Sequence, residues 1–235
     1  MDDRGGATNT CVVASNRPWN AGMAENLAAR IDWRVEAITS PSDLTAERLA
    51  AIEPRYVFFP HWSHRIPPEV HETFECVIFH MTDLPFGRGG SPLQHLILRG
   101  FEETRISALR CIEELDAGPV YLKRPLRLHG TAEEIYLRAS GVIEDMIVEL
   151  LERQPEPTPQ VGEVTVFARR RPDEGDLSAA ASLDEVYDMI RMLDAEGYPP
   201  AFVDVGELRF SLRRVTRRVD GLHADVHVQL RPRAK

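Results

Sequence analysis

Short apolar runs rich in β-branched and aromatic residues alternate with stretches of helical spacing over the first 150 residues. The apolar runs predict buried strands, with the sequences CVVAS, WRVEAI, YVFFP, CVIFH, ISALR and PVYLK. Between them, Ala21 to Ile31 and Ser42 to Ile52 have helical spacing, and Ser42 and Thr45 are candidate caps of the second helix. This alternation predicts an α/β fold with a doubly wound parallel sheet, whose ligands bind beyond the carboxyl ends of the strands.

A long helical stretch from about Thr131 to Arg153 ends before the sequence PEPTP, because three prolines cannot continue a helix. We therefore predict a first domain over residues 1–153, a linker over 154–166 and a small C-terminal subdomain over 167–235.

The C-terminal subdomain has a mixed α+β pattern. A helix is predicted from Ser182 to Ala195, followed by strands AFVDV, LRFSLRRV and ADVHVQL, with a hairpin turn at Asp220-Gly221. Because this part is too small for a large core of its own, we expect it to pack on the first domain or on a second copy of the chain. A homodimer is the expected assembly.

The composition is that of a globular protein that can bury a core, with 43% hydrophobic and 28% charged residues. No apolar run approaches the roughly 20 residues that cross a bilayer, and the start MDDRGGATNT is acidic and polar, so we expect a cytoplasmic protein without membrane contact. Cys11, Cys76 and Cys111 lie far apart in apolar runs and are interpreted as buried thiols.

The net charge of −9 argues against a protein that mainly grips a nucleic-acid backbone, so no nucleic-acid partner is expected. The C-terminal residues are more basic, and they fit either a local patch for a nucleotide phosphate or exposed arginines on a strand hairpin. They are Arg209, Arg213, Arg214, Arg217, Arg218, Arg231, Arg233 and Lys235.

The segment CVIFHMTDLPFGRGGSPLQ, from Cys76 to Gln94, brings four apolar residues directly to His80. A buried strand would thus deliver an imidazole to the edge of the sheet where such folds bind ligands. By itself, a histidine at a strand end is more commonly a structural residue. The glycine-rich loop that follows lacks the Gly-Lys-Ser/Thr ending of a phosphate-binding loop.

A second segment, LDAGPVYLKRPL, places Asp116 in a tight turn ahead of an apolar strand. An aspartate beside a glycine is most often only a turn residue. Singly, neither segment specifies chemistry.

Taken together in this order, the two segments resemble the formyltransferase family, which includes methionyl-tRNA formyltransferase and the bacterial sugar N-formyltransferases. The resemblance covers about Arg55 to Arg138 and also includes HRIPPEV, which is similar to a segment that helps to wall the folate pocket. The matching residues are His80, Leu84, Pro85, Arg88, Gly89, Gly90, Pro92, Gln94, Leu115, Asp116 and Gly118.

The resemblance implies a Rossmann-like formyltransferase catalytic domain and an N-formyltransferase that uses 10-formyltetrahydrofolate as co-substrate. It implies His80 and Asp116 as the catalytic residues. The residues expected to bind the folate are Arg65, Ile66, Pro67, Leu84, Leu115 and Asp116. Those expected near the acceptor are Trp62, Ser63, Thr82, Arg88, Gly89, Gly90 and Tyr198.

One position departs from the family pattern, since Ile78 stands where the family has a catalytic asparagine two residues before the histidine. An isoleucine cannot donate a hydrogen bond to the formyl oxygen. Ser63, Thr82 or a backbone N–H is the expected replacement donor.

Formyl transfer to an amine passes through a tetrahedral intermediate and needs a proton acceptor, a role that the resemblance gives to His80. Asp116 would orient this imidazole or relay a proton to the leaving nitrogen. His61 and His64 have the spacing of metal ligands, but no third ligand accompanies them and we expect no metal.

The expected acceptor is the amine of a nucleotide-linked 4-amino-4,6-dideoxy sugar. The sequences ARRRPDEGDL and IRMLDAEGYPPAF resemble a segment of sugar formyltransferases, which implies that Arg169 to Arg171 or Tyr198 lie near the nucleotide. The alternative acceptor is an aminoacyl group on a peptide-synthetase carrier protein, or another secondary-metabolite amine, because formylation domains of those synthetases look similar over this length. A non-catalytic binding module is a third class of function.

Overall fold

A computed structural model describes residues 9–231. Most of the acidic start, together with Arg233 and Lys235 of the C-terminal basic residues, therefore lies outside the described residues. The described chain divides into two compact units. The first runs up to Gly89 and adds Arg105–Leu126 and Leu137–Val166, and the second contains Gly90–Thr104, Arg127–Tyr136 and the described residues from Phe167 onward.

The predicted bounds 1–153, 154–166 and 167–235 stay a prediction. The second unit takes in residues 90–104 and 127–136, which contact it in space although the sequence pattern places them in the first domain.

The strands of the described chain are β1 Thr10–Ala14, β2 Arg34–Ile38, β3 Tyr56–Pro60, β4 Cys76–His80, β5 Arg88–Gly89, β6 Glu103–Arg110, β7 Val120–Arg127, β8 Val166–Phe167, β9 Ala201–Val205, β10 Leu208–Arg218 and β11 Gly221–Leu230. The α-helices are α1 Met23–Arg30, α2 Ala46–Ile52, α3 Pro68–His71, α4 Pro92–Leu98, α5 Ala132–Arg153 and α6 Leu183–Arg191. The fold is thus α/β with a separate antiparallel sheet near the C-terminus, as predicted.

The central sheet has the strand order β2-β1-β3-β4-β6-β7. β1 is parallel to β2 and β3, and β3 is parallel to β4, but β6 is antiparallel to β4. The prediction of an entirely parallel sheet is therefore wrong for β6. Apolar runs report that a strand is buried, and they do not report its direction.

The two edge strands are less buried than their apolar sequences predict. In β2 only Ile38 is buried, and in β7 only Val120 and Leu126 are buried. Central strands are covered by neighbours on both sides, whereas an edge strand has one neighbour, so a β-branched composition alone overestimates burial here.

Most predicted helices are present. α5 begins one residue after the predicted Thr131 and ends at Arg153, as the prolines require. α1 is shorter than predicted at both ends. The Thr45 hydroxyl caps α2 by accepting from the backbone N–H of Arg48 at 3.2 Å, whereas Ser42 lies in a separate 3₁₀ turn and is not the cap.

The carboxyl ends of β1, β3 and β4 lie at one edge of the central sheet. β1 is followed by β2 on one side and β3 on the other, so the connections diverge between β1 and β3. Asn20 ties this edge together: its Nδ2 donates to Pro60 O at 3.0 Å and Ser15 Oγ at 2.8 Å, and its Oδ1 accepts from Ser140 Oγ at 2.9 Å.

In the second unit, β11, β10 and β9 form an antiparallel sheet in that order. The hairpin turn lies at residues 219–220 and β11 begins at Gly221, so the predicted turn is confirmed to within one residue. α6 is shorter than predicted, ending at Arg191, and the Ser182 hydroxyl caps it by accepting from the backbone N–H of Glu185 at 3.1 Å. No helix of residues 9–231 has the length and apolar character that crossing a membrane requires.

Candidate active site

β4 delivers His80 to the carboxyl edge of the central sheet. Cys76, Val77 and Phe79 anchor the strand in the core, and His80 itself is 8% exposed. Its Nε2 lies 2.7 Å from the carbonyl oxygen of Gly87. Because a carbonyl oxygen only accepts, Nε2 carries a hydrogen, and in the neutral ring Nδ1 keeps its lone pair.

The turn before β7 supplies Asp116. Its φ of 54° lies in the left-handed region, which aspartate enters more readily than most residues. The carboxylate is buried, and its Oδ2 accepts a hydrogen bond from the backbone N–H of Gly89 at 2.9 Å. The same oxygen lies 3.4 Å from Nδ1 of His80.

The His80–Asp116 pair is therefore able to accept and hold a proton. Neutral Nδ1 is the basic atom, since Gly87 occupies the hydrogen on Nε2. A proton taken up at Nδ1 converts the ring to an imidazolium whose new N–H faces the Asp116 carboxylate, and this charge stabilises it. The arrangement suits general-base chemistry.

Ile78 lies two residues before His80 and on the same face of β4. It is half-buried and packs on the hydrophobic cores to either side, so this position offers no hydrogen-bond donor. The Thr82 hydroxyl is completely buried and donates to Gly87 O at 3.4 Å. Ser63, half-buried in the loop after β3, is the candidate donor whose hydroxyl has no partner among the described residues.

Arg88 is held by side chains of its own unit. Its Nε and Nη2 donate to Gln160 Oε1 at 3.2 and 3.0 Å, and its Nη1 donates to Glu114 Oε1 at 3.1 Å. These bonds account for Arg88 structurally, and its role toward the acceptor stays a prediction.

The glycines of the same loop are required by close backbone approach. The Gly89 N–H is used by Asp116, and the Gly90 N–H donates to Phe167 O at 3.0 Å. A side chain at Gly90 would bring its Cβ within 2.6 Å of Arg169 Cα. Substrate contact by either glycine stays a prediction.

The predicted folate-binding residues differ in exposure. Ile66 and Leu84 are buried at 8% and 2%, each within a hydrophobic core cluster of the first unit. Pro67 is half-buried, Arg65 is exposed and Leu115 is 67% exposed beside Asp116. The last three therefore offer free surface, while Ile66 and Leu84 support the wall from behind.

Trp62 lies in the loop after β3 and packs edge-on against Phe59, with a centroid distance of 5.9 Å, and near His64 at 5.5 Å. Its Nε1–H is buried and lacks a hydrogen-bond partner among the described residues. A buried donor without a partner is uncommon and costs about 1–3 kcal/mol. It fits a ligand or water that brings an acceptor to this loop.

His61, at the end of β3, is a structural histidine. Its Nδ1 accepts from Trp19 Nε1 at 3.1 Å, and its Nε2 lies 3.3 Å from Met81 Sδ. Burial, with a smaller contribution from the charge of Arg17, lowers the pKa of His61 to about 3, so the ring stays neutral near pH 7. Within residues 9–231 no group of three or more His, Cys, Asp or Glu side chains is arranged to hold a metal.

The predicted acceptor residue Tyr198 belongs to a network inside the second unit. Its ring stacks on Tyr136 and the two hydroxyls lie 2.9 Å apart. Buried Gln94 donates to the Tyr136 hydroxyl at 3.3 Å, and Arg213 donates to the Tyr198 carbonyl at 3.0 Å. Contact between Tyr198 and the acceptor stays a prediction.

The three cysteines are free thiols, two buried and Cys111 half-buried. Burial raises the pKa of Cys11 to about 12 and, with the Asp116 charge, that of Cys111 to about 11. They are therefore protonated near neutral pH, which agrees with their interpretation as inert thiols.

Sequence reasoning missed two residues that position the site. Gln160 Nε2 donates to the carbonyls of Asp116 and Gly118, both at 2.8 Å. Ser107 Oγ donates to Thr82 O at 2.7 Å and accepts from Leu84 N at 3.4 Å. An isolated serine in the apolar run ISALR is a readable signal, whereas nothing local distinguishes a glutamine in the predicted linker.

Comparison with known proteins places this geometry in context. Residues 172–229 match the family model described as the methionyl-tRNA formyltransferase C-terminal domain. A methionyl-tRNA formyltransferase from Thermodesulfovibrio yellowstonii is 24% identical over 153 residues, which cover 62% of this chain and 50% of that protein. The chain thus spans about half the length of the curated relatives it matches.

Two solved structures match over nearly their whole length. A methionyl-tRNA formyltransferase from Clostridium thermocellum is 46% identical, with a TM-score of 0.92, covering 94% of this chain and 99% of that one. A Mycobacterium tuberculosis protein described as a likely sugar N-formyltransferase is 18% identical, with a TM-score of 0.67, covering 96% and 99%. The latter shows a shared fold.

Proposed function

Because the chain belongs to the formyltransferase family, we propose that it transfers a formyl group from 10-formyltetrahydrofolate to a primary amine. The observation that carries this proposal is the buried His80–Asp116 pair at the carboxyl end of β4. Nδ1 of His80 is directed to Asp116 at 3.4 Å, while Gly87 holds the hydrogen on Nε2.

The residues around this pair fit a folate. The unpartnered N–H of Trp62 suits a ligand with hydrogen-bond acceptors, and exposed Leu115 with half-buried Pro67 and Ile78 suit flat aromatic rings. Bound 10-formyltetrahydrofolate supplies the activated formyl group. Arg65, on the exposed side of the same loop, is positioned to meet a carboxylate.

His80 accepts the proton of the attacking amine at Nδ1. The carboxylate of Asp116 stabilises the imidazolium, and the Gly89 N–H keeps that carboxylate in place. Ser63 is the side-chain donor that we assign to the formyl oxygen, since Ile78 has no donor and the Thr82 hydroxyl is directed to Gly87.

For the acceptor, we propose the amine of a nucleotide-linked 4-amino-4,6-dideoxy sugar. An RNA acceptor favours unpaired cationic groups, because affinity comes from phosphate neutralisation. Here five of the six described C-terminal arginines have carboxylate partners, which leaves little free positive charge. These pairs are Arg209–Asp204, Arg213–Asp194, Arg214–Asp225, Arg217–Asp184 and Arg231–Asp204.

A second candidate acceptor is the aminoacyl group of methionyl-tRNA. It is favoured by the 46% identity to the C. thermocellum protein over 94% of this chain. The net charge of −9 opposes it.

One experiment tests the reaction and its acceptor. The purified protein is incubated with 10-formyltetrahydrofolate and, separately, with nucleotide-linked 4-amino sugars, methionyl-tRNA or aminoacyl carrier proteins, and each acceptor is weighed by mass spectrometry. A gain of one formyl group on the amino sugar, absent with His80→Gln, supports the proposal. Formylation of methionyl-tRNA or of the carrier alone would replace the acceptor and keep the chemistry, and formyl transfer to none of them would overturn both.

A further inference from the structure

One face of the C-terminal sheet is apolar and uncovered. The register pairs Val203 with Phe210 and Val228 in one row across the three strands, and Val205 with Leu208 and Leu230 in the next. Because cross-strand partners point to the same side, these six side chains share a face, and Leu212 and Val226 extend it.

The exposure of these residues is high for apolar side chains. Leu208 is 40% exposed, Val228 48%, Val226 51%, Val205 59% and Leu230 75%. Phe210, at the middle of the middle strand, is half-buried. Scattered exposed apolar residues need no explanation, but a contiguous set on one sheet face does.

The opposite face of the same strands has a different character. Phe202 and Ser211, which are cross-strand partners, are 5% and 8% exposed. Asp204 and Arg209 form an ion pair at 2.8 Å on that side. The sheet therefore alternates as a two-sided sheet does, except that its second apolar side faces no part of the described chain.

We propose that this face is covered by the same face of a second copy of the chain. We call it the sheet face, and define it by Val203, Val205, Leu208, Phe210, Leu212, Val226, Val228 and Leu230. The proposal concerns assembly and does not depend on the catalytic proposal.

The area of the sheet face matches what a stable dimer needs. The five most exposed residues present about 450 Å² of largely apolar surface, taking roughly 150–180 Å² for a fully exposed Val or Leu. A standard interface buries about 800 Å² per partner, of which roughly 56–65% is apolar. The sheet face therefore supplies about the apolar share of one standard interface.

The pattern also fits a copy of itself better than a different partner. A two-fold axis through Phe210, in the middle of the middle strand, would place each row against a row of equal character. Twisted sheets of this kind pack face to face in β-sandwiches. With no charged side chain in its rows, the sheet face has nothing to recognise a nucleic acid or an acidic peptide.

The test is to place a charge on each side of the same strand. Val228→Glu puts a carboxylate on the sheet face, and Gln229→Glu puts one on the opposite face as the matched control. Phe210→Ala removes the central side chain without adding charge. Sedimentation velocity over protein concentrations from about 1 to 100 μM gives the assembly state, and thermal melting reports whether each variant is folded.

We expect a dimer of about twice the 26.5 kDa chain mass for the wild type and for Gln229→Glu. Val228→Glu should be a folded monomer, and Phe210→Ala should raise the dimer dissociation constant at least tenfold, as for an aromatic at an interface centre. If Val228→Glu does not fold, Phe210→Ala decides. A monomeric wild type, or a dimer unchanged by both Val228→Glu and Phe210→Ala, would overturn the proposal.

Discussion

At the scale of single residues, the two nitrogens of His80 have different partners, and this difference assigns their roles. Nε2 is used by the Gly87 carbonyl and Nδ1 faces Asp116. A histidine that only satisfied a strand end would need just the first of these contacts. The second contact provides a carboxylate for a proton that arrives during the reaction.

Replacement of His80 by Gln should lower kcat at least about 100-fold while folate affinity changes little, because the proton is accepted only as the reaction proceeds. Asp116→Asn should behave similarly. The measurements are single-turnover formyl transfer and folate binding. His223→Gln, which changes an exposed histidine in the same way, is the control and should keep full activity.

Melting temperatures of the same variants separate catalysis from folding. If folded His80→Gln transferred formyl groups at the wild-type rate, His80 would have no part in the mechanism. The catalytic assignment would then lack support, since Ile78 stands in the asparagine position.

At the scale of elements, the segment between α5 and β8 does more than connect. Thr158 pairs with Val120 as an isolated bridge, and Gln160 reaches both carbonyls of the Asp116 turn as well as Arg88. The segment predicted as a linker therefore helps to hold the turn that carries the catalytic carboxylate.

Gln160→Ala should lower kcat about tenfold with a smaller change in the KM of either substrate, because a loosened Asp116 turn misplaces the carboxylate by a fraction of an ångström. Steady-state kinetics with a melting curve measure this effect. Gln229→Ala removes the same amide from an exposed strand position and should have no effect. Equal losses of kcat in the two variants would contradict a positioning role for Gln160.

The cap of α6 offers a stability test within the second unit. Ser182→Ala removes the hydroxyl that accepts from Glu185 N and should reduce the free energy of unfolding by about 1 kcal/mol. Ser182→Asp should largely restore it, since a carboxylate also caps. Ser178→Ala is the control because the bond at that position uses the backbone N–H, and urea unfolding is the measurement.

At the scale of the whole molecule, stability should depend on pH through His61. Its pKa is about 3 in the folded chain and near 6.5 in the unfolded chain, so only the unfolded chain gains this proton between those values. The contribution is fully present above about pH 6.5 and is lost as the pH falls toward 3. From pH 7 to 5 the loss should be about 2 kcal/mol at most.

Urea unfolding at pH 7 and pH 5 measures this loss. His61→Asn, which tolerates the φ of 53° at this position, should flatten the pH dependence, and exposed His64→Asn should not. An unchanged slope in His61→Asn would show that other groups cause the acid sensitivity.

The sequence by itself determined the strands, the long helix and the approach of His80 and Asp116 to one edge of the sheet. Local periodicity specifies which side chains are buried, and the strand-to-loop transition after Phe79 specifies where His80 emerges. The family resemblance rests on the same local segments, which is why it was confirmed before any contact was known.

Only the tertiary structure decided the direction of β6, the use of the Thr82 hydroxyl by Gly87 and the attachment of Gln160 to the Asp116 turn. It also decided that the C-terminal arginines are paired and that the sheet face is exposed. Each of these depends on partners brought together by the chain path, several of them tens of residues apart in sequence. No local pattern of hydrophobic and polar positions contains that information, because it describes burial and periodicity and leaves the identity of the partner open.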